Sequence, residues 1–154
     1  MDIKTAKSRL AKQCSTKEVC SKDALDKLIK WELSLTNAYE IVDWLIAEKF
    51  IDDSRYACFY VRDKYRFNKW GRIKIKYALK VKKIPSHDIN IALKEIDDNE
   101  YKENLFYIIK NKLKSTKEND PYKLKSKIFN NATSKGFEPN LILEILKNLD
   151  IFKN

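Results

Sequence analysis

One short segment of this chain occurs twice, and that repetition limits the folds available to it more than any other feature. The segment Ile51-Asp52-Asp53-Ser54-Arg55-Tyr56 recurs as Ile96-Asp97-Asp98-Asn99-Glu100-Tyr101, 45 residues further along. A period of this length is typical of small helical repeats, which bury too little core to be stable alone and must stack on neighbours. We therefore expect three helical repeats, with boundaries at 1–50, 51–96 and 97–154.

A second, looser pattern supports the same division. The triplet Lys82-Lys83-Ile84 has apolar residues five and nine positions after its last member. The triplet Lys135-Gly136-Phe137 has apolar residues at the same offsets, and Leu33 begins a weaker copy in the first repeat. Because the pattern occurs once per expected repeat, it supports three copies of a three-helix unit.

Composition and helix-start signals indicate that the repeats are helical. Only 2 Gly and 3 Pro among 154 residues argue against an all-β chain with its many tight turns. Apolar residues recur at helical spacing after residues suited to capping. The predicted helix starts include Ser15 or Thr16, Ser34 or Thr36, Asp52, Pro85, Asp97, Pro121 and Pro139. The predicted fold is all-α, with about nine helices in tandem three-helix repeats that form an elongated, curved array.

The net charge of the chain is concentrated in one window, Arg55–Lys83. This window holds eleven Lys and Arg and a single acid, Asp63, so it carries the whole formal charge of +10. Seven of the 18 aromatic residues lie within it, from Tyr56 to Tyr77. Positive charge interleaved with aromatic side chains is typical of a surface that faces phosphates.

Helical spacing places these cations on two stripes with a turn between them. The predicted nucleic-acid-binding or filament-binding residues are Arg55, Arg62, Arg66 and Lys69 on the first stripe, Arg72, Lys76, Lys80 and Lys83 on the second, and Trp70. The second stripe is expected to lie mostly across the helix axis from Tyr77, Ala78 and Val81, which we expect to be buried. Reversing its first three cations to Glu should then leave the fold intact. Trp70 is expected to be exposed, and Gly71 to supply the turn.

No group of residues in the sequence suits catalysis or a cofactor. His87 is the single histidine, the three cysteines form no C-x-x-C pair, and no phosphate-binding glycine loop occurs. Capping explains the paired acids Asp52-Asp53 and Asp97-Asp98. We therefore predict a protein that is not an enzyme and uses no cofactor or metal. Without a signal peptide or a run of about 20 apolar residues, we expect a cytoplasmic protein with no membrane partner.

Several of these residues resemble the RecX family of bacterial recombination regulators. The resemblance lies in Phe50–Ala57, in Lys69-Trp70-Gly71-Arg72-Ile73 and in Leu79–Ile84. The segments Ser8-Arg9-Leu10-Ala11 and Lys135-Gly136-Phe137 fit the family as well. The resemblance covers nearly the whole chain and is most specific in the middle repeat.

The resemblance implies both a fold and a function. Members of the family are built of tandem three-helix repeats and bind the RecA recombinase filament on single-stranded DNA. They limit extension of the filament and inhibit its strand exchange and ATP hydrolysis, and we expect this chain to do so as a monomer. One departure is Lys83, where family members usually carry Gly. A left-handed residue there would be strained by about 1 kcal/mol, so a different turn is expected.

Two other functions fit the sequence. A helix-turn-helix regulator would place Arg72–Lys83 in a DNA major groove. That segment offers long cations and no Asn or Gln to read adenine, which favours phosphate contacts over base recognition. The second alternative is a helical-repeat adaptor for an acidic protein. Loss of binding when DNA is omitted would distinguish filament binding from this alternative.

Overall fold

The computed structural model describes residues 1–149 and 152. Over these residues the chain forms nine α-helices and no strand, which confirms the predicted helical fold. None of these helices combines the length and the apolar composition needed to cross a lipid bilayer. The helices are α1 (Ile3–Thr16), α2 (Ser21–Lys30), α3 (Leu35–Ala47), α4 (Asp53–Arg66), α5 (Arg72–Val81), α6 (Ser86–Leu93), α7 (Asp98–Ser115), α8 (Pro121–Ser134) and α9 (Pro139–Asn148).

Helices α1, α4 and α7 each begin at an aspartate. The backbone N–H of Arg55 donates to Asp52 Oδ1 at 3.1 Å, and that of Glu100 donates to Asp97 Oδ2 at 3.4 Å. Asp2 caps α1 in the same way. Each carboxylate satisfies a free N–H and lies at the positive end of the helix dipole. The predicted starts at Asp52 and Asp97 are confirmed.

Other predicted helix starts are confirmed, but the predicted start of α2 at Ser15 or Thr16 is wrong. Those confirmed are Ser34, Pro85, Pro121 and Pro139, each at or beside the first residue of its helix. Ser15 and Thr16 belong to the last turn of α1, where their hydroxyls donate to backbone carbonyls. Helix α2 begins at Ser21, whose N–H donates to Asp53 Oδ1 at 2.8 Å. An acid from α4 therefore caps α2.

Helices α2, α5 and α8 end in the same hydrogen-bonded turn. After α5, the N–H groups of Lys83 and Ile84 donate to carbonyls of the last helical turn at 2.9 and 3.1 Å. The turn residue is left-handed in each case, with φ of 59° at Lys83, 66° at Glu32 and 95° at Gly136. The expectation of a different turn at Lys83 is therefore wrong. A lysine holds a conformation that favours glycine by about 1 kcal/mol.

The first of two compact units joins Met1–Tyr60 with Leu79–Ala92. Its core is a cluster of buried apolar side chains from α1, α2 and α3, among them Leu28 and Leu45. Ile51, two residues before α4, is buried in the same cluster. Full burial of one such side chain contributes about 1.5–3 kcal/mol, so Ile51 anchors the start of α4.

The second unit joins Val61–Ala78 with Leu93–Asn154. In its interior the ring centroids of Tyr101 and Phe137 lie 5.1 Å apart. Asn104 donates to a backbone carbonyl of α4 at 2.7 Å, so this buried amide has a partner. Helices α4 and α5 contribute residues to both units, and the division into three domains at 50/51 and 96/97 stays a prediction.

Gly71 is required for a close backbone approach. Its N–H donates to the Lys135 carbonyl at 2.8 Å, and the N–H of Ile73 donates to the Gly136 carbonyl at 3.0 Å. A Cβ at Gly71 would overlap the backbone of Gly136. The sequence predicts a turn at Gly71, whereas the structure shows that the absence of a side chain lets the start of α5 meet the end of α8.

The buried side of α5 differs from the predicted one. Ile75 and Leu79 are fully buried, whereas Tyr77 and Val81 are 70% and 54% exposed. The helix carries two overlapping apolar stripes, and tertiary packing buries the other one. The prediction that Tyr77 and Val81 are buried is therefore wrong.

Candidate nucleic-acid interface

Arg55, the first cation of the basic window, is bound within the first unit. Its Nε lies 2.8 Å from Glu18 Oε1, and its Nη2 donates to the Phe50 carbonyl at 3.3 Å. The side chain of Arg55 therefore links the first turn of α4 to the segment before α2. A charge paired in this way offers less attraction to a phosphate than a free one.

Arg62 and Arg66 also face acids. Arg62 Nη2 lies 3.3 Å from Glu95 Oε2, and Arg66 Nε lies 3.5 Å from Glu100 Oε1. Both arginine side chains are about half exposed, so each pair is a surface ion pair that contributes roughly 0–1 kcal/mol. The two guanidinium groups remain accessible to solvent, but part of their charge is neutralised locally.

Arg72, the first residue of α5, is bound by two acids and lies over an aromatic ring. Its Nη1 lies 2.9 Å from Glu138 Oε2 and its Nη2 lies 2.6 Å from Asp98 Oδ1. The guanidinium carbon lies 4.0 Å from the ring centroid of Tyr101. Burial alone would lower the pKa of Arg72, but the hydrogen bond to Glu138 and the nearby negative charges raise it above its ordinary value. Arg72 therefore joins α5, α7 and α9 within the second unit.

Tyr101 completes this network beneath Arg72. Its hydroxyl accepts from the backbone N–H of Arg72 at 2.8 Å and donates to Glu138. Burial, reinforced by the hydrogen bond to Glu138, raises the pKa of Tyr101 above its usual value, so the hydroxyl keeps its proton. Reversing Arg72 to Glu would add a third acid to this network, beside Asp98 and Glu138. These contacts are a reason to expect that reversing Arg72 destabilises the fold, whereas the sequence predicts that it does not.

The turn between α4 and α5 places lysines over aromatic rings. Lys64 Nζ and Lys74 Nζ lie 5.0 and 4.3 Å from the ring centroid of Trp70. Trp70 is half-buried, so less of its ring is exposed than the sequence predicts. Lys69 Nζ lies 5.3 Å from the ring centroid of Tyr107 on α7. The Trp70 ring therefore packs against Lys64 and Lys74, whereas the Lys69 side chain extends towards α7.

Lys82 is an internal cation despite its position among exposed lysines. Its Nζ lies 2.7 Å from Asp23 Oδ2 and 6.0 Å from the ring centroid of Tyr56. Burial alone would lower the pKa of Lys82, but the hydrogen bond to Asp23 raises it above its ordinary value. Lys82 therefore links the end of α5 to α2 and does not belong with the exposed lysines of the window.

Lys76, Lys80 and Lys83 form the exposed part of the second stripe, which we call the lysine face. All three side chains are exposed, and within residues 1–149 and 152 none of them takes part in an ion pair. Exposed Tyr77 and Val81 lie on the same helix, one position after Lys76 and Lys80. Helical spacing predicts that the apolar stripe of Tyr77 and Val81 is part of the core, whereas both side chains are exposed.

The lysine face can bind phosphates but offers little to a base edge. Three mobile ammonium groups act as point charges, and they lack the fixed fork with which arginine binds paired acceptors. Arg72 and Lys82 form ion pairs, whereas the lysine face carries three positive charges without an acidic partner among the described residues. Its chemistry therefore suits contact with a phosphate backbone, with Tyr77 able to add apolar contact.

Comparisons with known proteins identify relatives of this chain. The family model described as "RecX, second three-helix domain" matches residues 52–93. The regulatory protein RecX of Clostridium botulinum (strain Eklund 17B / Type B) is 33% identical over 118 residues, which are 75% of this chain and 53% of that protein. The regulatory protein RecX of Clostridium acetobutylicum is 30% identical over 148 residues, which are 94% of this chain and 68% of that protein.

The chain thus spans 53% to 68% of the length of these two relatives. Its fold is also that of a solved structure. The crystal structure of RecX from Lactobacillus salivarius matches with a TM-score of 0.81 and 24% sequence identity, and the match covers 97% of each chain. The matched family model begins at Asp52, the cap of α4, and ends at Leu93, the last residue of α6.

Proposed function

Since this chain belongs to the RecX family of regulatory proteins, we propose that it binds the RecA recombinase filament assembled on single-stranded DNA. In this proposal it is a non-enzymatic, cytoplasmic inhibitor that limits extension of the filament, strand exchange and ATP hydrolysis. It acts as a monomer built of three helical repeats. The resemblance of Phe50–Ala57 and Lys69–Ile73 to the family supports this function.

The lysine face is the observation that carries the proposal. Outside Arg55–Lys83 the chain is neutral in charge, and within that window three exposed lysines, without ion pairs in the described part of the chain, lie on α5 and in the turn that follows it. Adjacent like charges at i, i+4, as at Lys76 and Lys80, cost a helix a few tenths of a kcal/mol. A nucleoprotein filament presents phosphates in its groove, and contact with them offsets this repulsion by releasing bound counterions.

The structure supports this function over that of a helix-turn-helix regulator. A recognition helix reads base edges mainly with its N-terminal residues. The first residue of α5, Arg72, is bound to Asp98 and Glu138, and the Lys74 ammonium lies over Trp70. The free cations lie towards the other end of the helix, where phosphate contact needs no base-specific geometry.

A single assay tests the proposed function. The rate of ATP hydrolysis by the cognate RecA on single-stranded DNA is measured while this chain is titrated in. The proposal predicts that the rate falls with added chain, and that less chain is needed when it is added before the filament has grown. An unchanged rate at all ratios, with filament assembly verified by sedimentation, would contradict it.

A further inference from the structure

Helix α7 exposes two adjacent aromatic side chains on its outer side. Phe106 and Tyr107 are 42% and 54% exposed, while Leu105 and Ile109 of the same helix are fully buried. Burying a side chain of this size contributes about 1.5–3 kcal/mol. At these two neighbouring positions the fold leaves about half of the side chain in contact with solvent, which indicates a surface available to a ligand.

Lysines surround both rings. Lys110 Nζ lies 5.4 Å from the ring centroid of Phe106, and Lys69 Nζ lies 5.3 Å from that of Tyr107. Both rings also line a groove of about 290 Å³ within the second unit, together with Glu103, Lys110, Asn111 and Lys114. Phe106 and Tyr107 thus lie with Lys69, Lys110, Lys114 and one acid, Glu103. We call this set the aromatic face of α7.

We infer that the aromatic face of α7 binds single-stranded DNA by stacking bases on Phe106 and Tyr107. Stacking uses the π-face that every base has, so this contact needs no particular sequence. Lys69, Lys110 and Lys114 lie where they neutralise the phosphates that flank the stacked bases. An acidic protein segment would satisfy the lysines but would present no flat surface to the rings.

This site is distinct from the lysine face on α5 and makes a separate contact. It concerns DNA by itself, so it holds whether or not the chain inhibits a recombinase. The order of residues alone does not predict this site, because α7 lies outside the basic window and its charges nearly balance. Only the structure shows that Phe106 and Tyr107 lie outside the buried side of α7, and that Lys69 reaches Tyr107 from the turn between α4 and α5.

The test uses two strands that carry the same phosphates. Binding of the full chain is measured by fluorescence anisotropy to oligothymidylate and to an abasic strand of equal length, without any recombinase. The wild type is compared with the double variant F106A/Y107A. The control is Y39A/Y122A, which removes two other exposed aromatic rings, on α3 and α8, and changes no charge.

The wild type should bind oligothymidylate at least about tenfold more tightly than the abasic strand, since stacking of one base strengthens binding by about five- to 150-fold. F106A/Y107A should lose that discrimination and keep its affinity for the abasic strand, whereas Y39A/Y122A should behave as the wild type does.

Equal wild-type affinity for the two strands would overturn the inference. So would discrimination that survives in F106A/Y107A. A third outcome also counts against it: F106A/Y107A binds both strands normally but no longer slows ATP hydrolysis by RecA, which would make the face a protein contact. Loss of discrimination in F106A/Y107A supports the inference even if the wild type leaves RecA activity unchanged.

Discussion

The arginines and the lysines of the basic window differ in what they contact. Arg55, Arg62, Arg66 and Arg72 each lie within 3.5 Å of an acid from another part of the chain. The lysine face has no such partner within the described residues. The sequence assigns both groups to one binding surface, but the structure separates them into cations that hold the fold and cations that are free to bind a ligand.

Side-chain chemistry explains this division. A guanidinium group presents five donors in a planar fork, so it can bond a carboxylate, a carbonyl and an aromatic face at once, as Arg72 does. A lysine ammonium is a mobile, strongly hydrated point charge, which suits an exposed surface that must follow a flexible phosphate backbone. The net charge of a window therefore overstates the charge that it offers to a partner.

The largest expected effect comes from reversing the lysine face. In K76E/K80E/K83E, binding to the RecA filament should weaken by about 100-fold or more at 50 mM salt. The reason is that three phosphate contacts are lost, and together they account for a slope of about 2 in a plot of log affinity against log salt concentration. The melting temperature should change little, since all three side chains are exposed. Salt-dependent filament binding and thermal unfolding check both statements.

A matched control separates position from bulk charge. Lys94, Lys102 and Lys123 are exposed and scattered over the second unit, and none of them takes part in an ion pair within residues 1–149 and 152. K94E/K102E/K123E changes the net charge by the same amount. Equal weakening by the two triple variants would mean that the lysine face has no special role.

The second effect concerns stability and belongs to the arginine group. R72A should lower the free energy of unfolding by about 1.5–3 kcal/mol, because the side chain is only 27% exposed and its loss leaves Glu138 without its cation. R62A, which breaks a half-exposed pair, should cost less than about 1 kcal/mol. Urea unfolding at constant m-value measures both, and a cost for R72A no larger than that for R62A would argue against the proposed bonding role of Arg72.

The smallest effect is a trade between stability and binding at Lys83. K83G should stabilise the chain by up to about 1 kcal/mol, because it relieves a left-handed lysine, and should reduce the salt slope of filament binding by about 0.7. Glu32 occupies the equivalent turn after α2 with φ of 66°. E32G should therefore give a similar gain in stability without weakening binding, and an equal loss of binding in E32G would exclude a specific role for Lys83.

Sequence reasoning succeeded where a signal and its structural effect lie within a few residues of each other. Asp52 and Asp97 cap helices through the N–H three residues ahead, and Gly136 adopts the left-handed turn after α8. These features depend on local backbone chemistry, so they can be read directly from the order of residues.

Sequence reasoning was incomplete where the outcome depends on distant partners. Arg72 binds Asp98 and Glu138, which lie 26 and 66 residues further along, and no local sequence pattern predicts that pairing. Helix α5 offers two apolar stripes of similar strength, and only packing decides that Ile75 is buried and Tyr77 exposed. Ser15 and Thr16 were ambiguous for another reason, since a hydroxyl can accept at the start of a helix or donate at its end.

The most direct test of the division within the basic window compares two double variants that each remove two positive charges. K76A/K80A alters the lysine face, and R62A/R66A breaks two of the arginine ion pairs. The quantity measured is the concentration of chain that halves ATP hydrolysis by RecA on single-stranded DNA. We expect K76A/K80A to raise it by about tenfold or more and R62A/R66A to change it by less than about twofold. If R62A/R66A raises it as much as K76A/K80A does, at an unchanged melting temperature, the arginines bind the filament and the division is contradicted.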